Sequence, residues 1–278
     1  MSTLYIFLCL LGVLTMLCLI SERIAWYVKF LFVGWVLIIT NIIIITFALL
    51  EPSNTDKAVR KAHSFINVMR DNLLGLTIEV RGVKEALESS TEKSFVILCN
   101  HQSVLDMLVM GEVWSIVDKI RVAVKAEFRN YGLFSMAMQL CGAVFVDRKA
   151  STGRDTLNKA VQDLRDSHCS LFVFPEGTRH FSPKLEFLPF KKGAFHAAFD
   201  AGYPLLPVVI SHYDFLDEPY SFKRGKIVLK VLEPVSLEGR IKQDDMEAVI
   251  KETRDKMFEA YNEISDSSSS IKAVKKDE

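Results

Sequence analysis

Charge of one sign is not in excess in this sequence. Its 278 residues carry 34 Lys and Arg against 34 Asp and Glu, a formal net charge of zero. Nucleic-acid-binding domains are usually basic, so we expect no nucleic-acid partner. The composition carries no signal for a protein partner. Cysteine is sparse: there are five, none in a C-x-x-C pair, which excludes a zinc ribbon or dithiol motif and suits a reducing compartment.

Several catalytic motifs are also absent. The sequence has no G-x-S-x-G, no G-x-x-x-x-G-K-[ST], no G-x-G-x-x-G and no H-E-x-x-H. Ser103 is therefore a weak candidate for the nucleophile of a serine hydrolase, and nothing indicates a nucleotide cofactor or a catalytic metal. We expect neither a cofactor nor a metal site.

Long apolar runs, by contrast, are present at the start of the chain. Residues 4–20 carry no charge, and residues 31–50 are almost entirely apolar. At about 1.5 Å of rise per residue, helices over these runs would reach about 26 and 30 Å, close to the roughly 30 Å core of a bilayer. Four consecutive isoleucines at 42–45 make the second run apolar on all sides, so we expect a membrane helix rather than a core helix of a soluble protein.

The first run is shorter and could span the membrane, re-enter it or be a signal peptide. Residues 1–3 hold no basic side chain and no small-x-small site precedes Ser21, which disfavours a signal peptide. The connector at 21–30 mixes charged and aromatic side chains, a composition typical of the headgroup region. Basic residues are slightly more frequent after the second run, so we expect a two-helix membrane hairpin with both ends in the cytosol.

Beyond residue 53 the pattern changes to short apolar runs that alternate with helical segments. Residues 55–72 have helical spacing and a basic face, which fits an interfacial helix or an ordinary surface helix. Strands are predicted at 76–80, 95–99, 120–124, 143–146, 171–174, 205–210 and 227–232, and helices at 106–116, 152–166, 193–201 and from 237 onward. This alternation predicts an α/β fold with a mostly parallel sheet flanked by helices. The polar tail 265–278, with serines at 267–270, is predicted to be disordered.

Chemically capable side chains follow the carboxyl ends of four predicted strands. They are His101, Lys125, Asp147 with Arg148, and the segment 175–179. Ligand crevices in open α/β sheets lie outside the carboxyl ends of the strands. If the sheet is parallel, these four groups share one rim and form a candidate site.

His101 and Asp106 could supply acid–base chemistry at that rim. Histidine titrates near neutrality, and a carboxylate within reach fixes its tautomer and stabilises its cation. Five residues on a helix correspond to a large rotation, so the spacing implies a turn at 100–103 and a helix from about Val104. The alternative is an ordinary helix start, with Ser103 as N-cap and Asp106 at the third helical position.

The segment 174–179 has the composition of an anion site. Gly177 permits an unusual turn, and the Thr178 hydroxyl and Arg179 guanidinium could hold a phosphate. Glu176 would orient Arg179 or bond a substrate hydroxyl; a plain charged turn with an internal Glu–Arg pair is the alternative. Lys125 and Arg148 would add positive charge, unless they are solvated strand ends. Lys191 and Lys192 are weaker candidates, equally explained as surface lysines.

Four ordered blocks in this region resemble those of the glycerolipid acyltransferases, and most of all the eukaryotic 1-acyl-sn-glycerol-3-phosphate (lysophosphatidate) acyltransferases. The blocks are N-H-Q-S-x-x-D at 100–106, G-A-V-F-V-D-R at 142–148, F-P-E-G-T-R at 174–179 and L-P-V-V at 206–209. The P-F-K-K-G-A-F segment at 189–195 strengthens the resemblance.

The resemblance implies an acyl-CoA-dependent transfer to the sn-2 hydroxyl of lysophosphatidate at a lipid bilayer, with acyl-CoA as a co-substrate. It implies His101 as the base, Asp106 as its partner, Arg179 as the phosphate ligand, and Glu176, Gly177 and Thr178 as the shape of the pocket. A glycerol-3-phosphate or lysophospholipid acceptor is the alternative. The expected organisation is a membrane segment at 1–52, an acyltransferase domain at 53–264 and a tail at 265–278.

The tail ends in Lys275-Lys276-Asp277-Glu278. Lysines at the third and fourth positions from the end resemble the dilysine signal of endoplasmic-reticulum membrane proteins, which must face the cytosol. A merely polar tail is the alternative.

Overall fold

A seven-stranded sheet forms the centre of the protein. The computed structural model describes residues 4, 6, 7, 12, 16, 17, 19–90, 92–146, 153–182 and 185–274. The strands are β1 (Leu76–Arg81), β2 (Val96–Cys99), β3 (Ile120–Lys125), β4 (Val144–Val146), β5 (Ser170–Val173), β6 (Leu205–Ile210) and β7 (Gly225–Val231). All seven lie where the apolar runs predict them.

The sheet is mixed but mostly parallel, as predicted. Its strand order is β1-β7-β6-β2-β5-β3-β4. The only antiparallel pairing of these strands is between β6 and β7, so β1 and β7 run opposite to the other five. The carboxyl ends of β6, β2, β5 and β3 therefore lie side by side on one edge.

Helices flank the sheet on both faces. They are α1 (Glu22–Leu50), α2 (Thr55–Met69), α3 (Val83–Glu88), α4 (Asp106–Val109), α5 (Gly132–Leu140), α6 (Gly153–Ser167), α7 (Gly193–Ala201) and α8 (Lys242–Val274). The helix predicted at 106–116 has only one α-helical turn and continues as a 3₁₀ helix, Met110–Ser115. Helix α8 reaches ten residues into the segment predicted to be disordered, and residues 275–278 lie outside the described residues.

The core divides at the sheet because side chains alternate along each strand. In β2, Ile97 and Cys99 face the cluster that joins α1, α2 and α4, whereas Val96 and Leu98 face the cluster that joins α6, α7 and α8. Strand β2 is buried on both faces, as is typical of a parallel sheet between two helical layers.

Helix α1 corrects the predicted connector at 21–30. The helix begins at Glu22, with the Ser21 hydroxyl accepting a hydrogen bond from the amide of Ile24 at 3.4 Å. The charged and aromatic side chains of this segment are compatible with a helix, and no glycine or proline lies between Ser21 and Val33 to interrupt one. Residues 22–30 are therefore part of the long helix and do not form a separate connector. The two-helix hairpin is not confirmed, because most of residues 1–18 lies outside the described residues.

By length and composition α1 is apolar enough to cross a membrane, and at about 1.5 Å per residue it is about 43 Å long. One face is buried against the protein, through Val33, Val36, Thr40, Ile44 and Ala48. The other face exposes large apolar side chains such as Leu31, Ile38 and Leu49. The exposed face suggests association with a membrane.

The basic face predicted for residues 55–72 does not include Arg70, the residue that directly follows α2. Arg70 opens a π-helical segment, Arg70–Leu74, and is only 3% exposed. Its guanidinium donates to the carbonyl oxygen of Leu108 at 3.2 Å and pairs with Glu112 at 3.2 Å. Arg70 therefore ties α2 to the helix that carries Asp106, and it does not face outward.

Candidate active site

The candidate site lies where three neighbouring strands end. Asn100 and His101 follow β2, Glu176 follows β5 and Tyr213 follows β6. Lys125 ends β3, one strand further along the same edge. The predicted convergence is thus present for three of the four groups; Asp147 and Arg148 lie outside the described residues.

The structure brings His101 and Asp106 together. His101 Nδ1 lies 2.6 Å from Asp106 Oδ2, and the carboxylate is fully buried whereas the histidine side chain is 16% exposed. A contact this short places the Nδ1 proton towards the carboxylate, which leaves the lone pair on Nε2. Nε2 makes no hydrogen bond with another described residue. The pair has the geometry of a general base with an orienting carboxylate.

The same carboxylate also caps the turn that it follows. Asp106 Oδ2 accepts hydrogen bonds from the amides of Gln102 at 2.7 Å and Ser103 at 3.1 Å. The Ser103 hydroxyl accepts from the amide of Leu105 at 3.3 Å. One carboxylate therefore serves both the acid–base pair and the turn. The predicted helix start is corrected, because α4 begins at Asp106 with Leu105, and not Ser103, at its N-cap. The Ser103 hydroxyl has this structural partner and forms no hydrogen bond with His101 among the described residues.

Tyr213 is a member of the site that the sequence reasoning missed. Its hydroxyl donates to Asp106 Oδ1 at 2.7 Å, and the side chain is fully buried. Burial, and then the charge of Asp106, raise the pKa of Tyr213 well above its usual range, so the hydroxyl stays protonated and can donate. A signal did exist: Tyr213 stands just past the carboxyl end of an apolar run, like the other site residues.

Glu176 contradicts the prediction that it orients Arg179. It is 3% exposed, and its two oxygens accept from the amides of His101 at 3.0 Å and Leu188 at 2.9 Å. Burial raises the pKa of Glu176, an effect that these two amide hydrogen bonds partly offset. The carboxylate therefore joins the His101 turn to the 185–190 segment, and the internal Glu–Arg pair is absent from the described residues.

The candidate phosphate ligands are open to solvent. Thr178 and Arg179 are exposed, and Lys125 is half-buried. Gly177 has a φ of 75°, so the turn uses the left-handed conformation that glycine adopts without strain. The side chains of Arg179 and Lys125 form no ion pair with another described residue and are free to meet an anion. Lys192 pairs with Glu247 instead, which favours its surface-lysine interpretation.

A second layer of side chains fixes the His101 turn to β6. Asn100 donates to the carbonyl oxygen of Ile210 at 2.9 Å, and its own oxygen accepts from the Ile210 amide at 2.8 Å. Gln102 donates to the carbonyl oxygen of Ser211 at 3.0 Å and accepts from the Tyr261 hydroxyl at 3.2 Å. Within the described part of the chain, no group of three or more His, Cys, Asp or Glu side chains is arranged to hold a metal.

Comparison with known proteins agrees with this geometry. The family model described as Acyltransferase matches residues 77–211, a range that includes His101, Asp106, Glu176 and Arg179. The chain is 35% identical to 1-acyl-sn-glycerol-3-phosphate acyltransferase from Saccharomyces cerevisiae over 206 residues, 73% of this chain. This region of the chain belongs to the acyltransferase family.

Other acyltransferases extend the comparison. The alpha form of 1-acyl-sn-glycerol-3-phosphate acyltransferase from Homo sapiens is 35% identical over 69% of this chain. The chain spans 65% of the yeast relative and 66% of the human one. The crystal structure of the 1-acyl-sn-glycerophosphate acyltransferase PlsC from Thermotoga maritima has the same fold, with a TM-score of 0.58 and 23% identity over 86% of this chain and 95% of that one.

Proposed function

We propose that this acyltransferase moves a fatty acyl chain from acyl-CoA to the sn-2 hydroxyl of 1-acyl-sn-glycerol-3-phosphate, which yields phosphatidic acid. The observation that carries the proposal is the His101–Asp106 pair, 2.6 Å apart, on a rim where Arg179 and Lys125 are exposed or half-buried. The printed names of the yeast and human relatives support the choice of acceptor.

The proposed chemistry uses His101 twice. Nε2 removes the proton from the acceptor hydroxyl while its oxygen forms a bond to the thioester carbonyl carbon. The C–S bond then breaks, and the leaving sulfur of CoA takes the proton back from the imidazolium. Asp106 stabilises the imidazolium between these steps. A positioned base of this kind contributes about 10² to 10⁴ in rate.

The cations would select an acceptor that carries a phosphate. Arg179 offers a fork of donors that matches phosphate oxygens, and Lys125 offers a second positive charge from the neighbouring strand end. Arg148 is proposed as a third contact. Gly177 and Thr178 would shape the pocket, and Glu176 would keep the turn that carries His101 in register with it.

We further propose that the protein acts at the endoplasmic-reticulum membrane with its acyltransferase domain and C-terminus in the cytosol. The exposed apolar face of α1 supports membrane association, and both proposed substrates carry an acyl chain that partitions into a bilayer. Lys275 and Lys276 would supply the retrieval signal. Replacement of both by serine should move a tagged chain out of the endoplasmic reticulum; an unchanged distribution would remove this part of the proposal.

An acceptor comparison tests the proposed function. Purified full-length protein in detergent or vesicles is incubated with oleoyl-CoA and, separately, lysophosphatidate, glycerol-3-phosphate or lysophosphatidylcholine. We expect phosphatidate formation at least tenfold faster than acylation of the other two, with the new chain at sn-2. A preference for glycerol-3-phosphate or lysophosphatidylcholine would replace the proposed acceptor, and no transfer to any of them would overturn the proposal.

A further inference from the structure

Tyr213 forms a hydrogen bond with the carboxylate oxygen of Asp106 that His101 does not contact. The tyrosine hydroxyl donates to Oδ1 at 2.7 Å, while Oδ2 faces His101 Nδ1 at 2.6 Å. Both Tyr213 and Asp106 are fully buried, so solvent does not screen their interaction or replace it. Hydrogen bonds therefore connect the three side chains, from the buried Tyr213 through Asp106 to the partly exposed His101.

We propose that Tyr213 is a positioning residue that sets how strongly Asp106 attracts the proton on His101, and thereby the pH at which His101 can act as a base. A hydroxyl that donates to a carboxylate withdraws part of its negative charge. Without that donor the carboxylate would hold the Nδ1 proton and the imidazolium more tightly, so His101 would remain protonated to a higher pH.

Other titratable side chains lie near His101 and Asp106, but a substitution at Tyr213 would not remove any of them. Glu176 accepts a hydrogen bond from the His101 amide, and the charge of His180 acts on Glu176. The charge of Asp106 contributes to the raised pKa values of Cys99 and Tyr261. None of these four side chains donates a hydrogen bond to Asp106 among the described contacts. Removal of the Tyr213 hydroxyl alone therefore isolates its effect on the carboxylate.

The turn itself should survive the loss of that hydroxyl. Asp106 would keep its hydrogen bonds from His101 and from the amides of Gln102 and Ser103. Tyr213→Phe preserves the buried ring, which packs against Phe215 at 5.4 Å between centroids. We expect a change in the titration of His101 with little change in the position of the turn.

The test measures the titration of His101 by NMR on the full-length protein with labelled histidine, together with the pH dependence of kcat/KM. Tyr213→Phe should raise the titration midpoint of His101 by about half a pH unit or more, because a carboxylate that has lost this donor stabilises the imidazolium more strongly. The acidic limb of the rate profile should move by the same amount, and the plateau at high pH should fall less than about threefold. Incorporation of 3-fluorotyrosine at position 213, a stronger donor, should move both readouts to lower pH.

Tyr203→Phe is the matched control, because the Tyr203 hydroxyl donates to the carbonyl oxygen of Leu164, away from the site. It should leave both readouts unchanged. An unchanged His101 midpoint in Tyr213→Phe, or shifts in the same direction for phenylalanine and fluorotyrosine, would overturn the inference. The inference rests on the proposed function only for its kinetic readout. If the wild-type protein forms no phosphatidate but Tyr213→Phe shifts the His101 titration as expected, the proposed function fails and the role of Tyr213 stands.

Discussion

The His101 ring lies almost flat on the ring of Phe174, with centroids 3.8 Å apart and planes 14° apart. Asp106 fixes one edge of the imidazole, and Phe174 fixes the plane in which it lies. Since Phe174 directly follows β5 and His101 is the second residue after β2, the stacking depends on the parallel pairing of these two strands.

Loss of this aromatic surface should slow the chemical step. We expect Phe174→Leu to lower kcat about tenfold with less than a twofold change in KM for lysophosphatidate, because a loosely held base spends less time in the reactive orientation. Phe181→Leu is the control, since Phe181 stacks on His212 and not on His101. A rise in KM with unchanged kcat would show that Phe174 contacts the substrate instead of holding the base.

Asp106→Asn should both remove the carboxylate that pairs with His101 and disturb the turn at residues 100–103. An asparagine can accept with its oxygen but presents N–H groups where the carboxylate accepts from amides and from Tyr213. We expect kcat to fall about 10² to 10⁴-fold and the protein to lose about 1–3 kcal/mol of stability. Enzyme assays combined with thermal unfolding of the detergent-solubilised protein would measure both; activity within threefold of wild type would exclude Asp106 from the proposed mechanism.

Arg179 and Lys125 should differ in how far they control acceptor binding. The Arg179 guanidinium can bind phosphate with two hydrogen bonds, whereas a lysine acts as a point charge. We expect Arg179→Ala to raise KM for lysophosphatidate about 100-fold, with little recovery in Arg179→Lys, and Lys125→Ala to raise it about three- to tenfold. Equal KM values in wild type and Arg179→Ala would remove Arg179 from the phosphate site.

Glu112, a partly buried carboxyl that pairs with the buried His63 and Arg70, should make stability depend on pH. Burial acts to raise the pKa of Glu112, but the hydrogen bond and charge of His63 and the charge of Arg70 outweigh it and lower the pKa overall. A carboxyl with a lowered pKa stabilises the fold above its unfolded value of about 4.3 and loses that contribution as the pH falls. Glu112→Gln should therefore unfold at a lower temperature than wild type at pH 7, and the difference should persist to about pH 5 and shrink as the pH falls below about 4.3.

The control for that series is Glu88→Gln. Glu88 lies 4.0 Å from Lys84 in an exposed pair, which contributes little to stability. Melting curves of the two variants at several pH values make the comparison, and a Glu112→Gln difference that stays constant with pH would contradict the assigned pairing.

Much of this arrangement could be predicted from sequence because its signals are local. Apolar runs of strand length located all seven strands, and the five-residue spacing of His101 and Asp106 required the turn that the structure contains. Parallel pairing then places the ends of β2, β5 and β3 on one edge, which brings together residues that are far apart in the chain.

The errors concern which way a charged or polar side chain faces. Glu176 was predicted to orient Arg179 or to bond a substrate hydroxyl, but its oxygens accept from the backbone amides of His101 and Leu188. Arg70 belongs to the basic face predicted for residues 55–72, but it is buried and pairs with the partly buried Glu112. Tyr213 also follows an apolar run, but only the pairing of β6 with β2 brings its hydroxyl to Asp106. Such partners arise from tertiary packing, which a pattern along one chain does not record.

The most direct test of the central claim compares wild type, His101→Ala and Ser103→Ala for phosphatidate formation from lysophosphatidate and oleoyl-CoA. Binding of both variants to vesicles and their melting temperatures establish that they are folded. We predict that His101→Ala loses at least about 10²-fold in kcat, the contribution of a positioned base, and that Ser103→Ala stays within about threefold of wild type. Undiminished phosphatidate formation by folded His101→Ala would contradict the account.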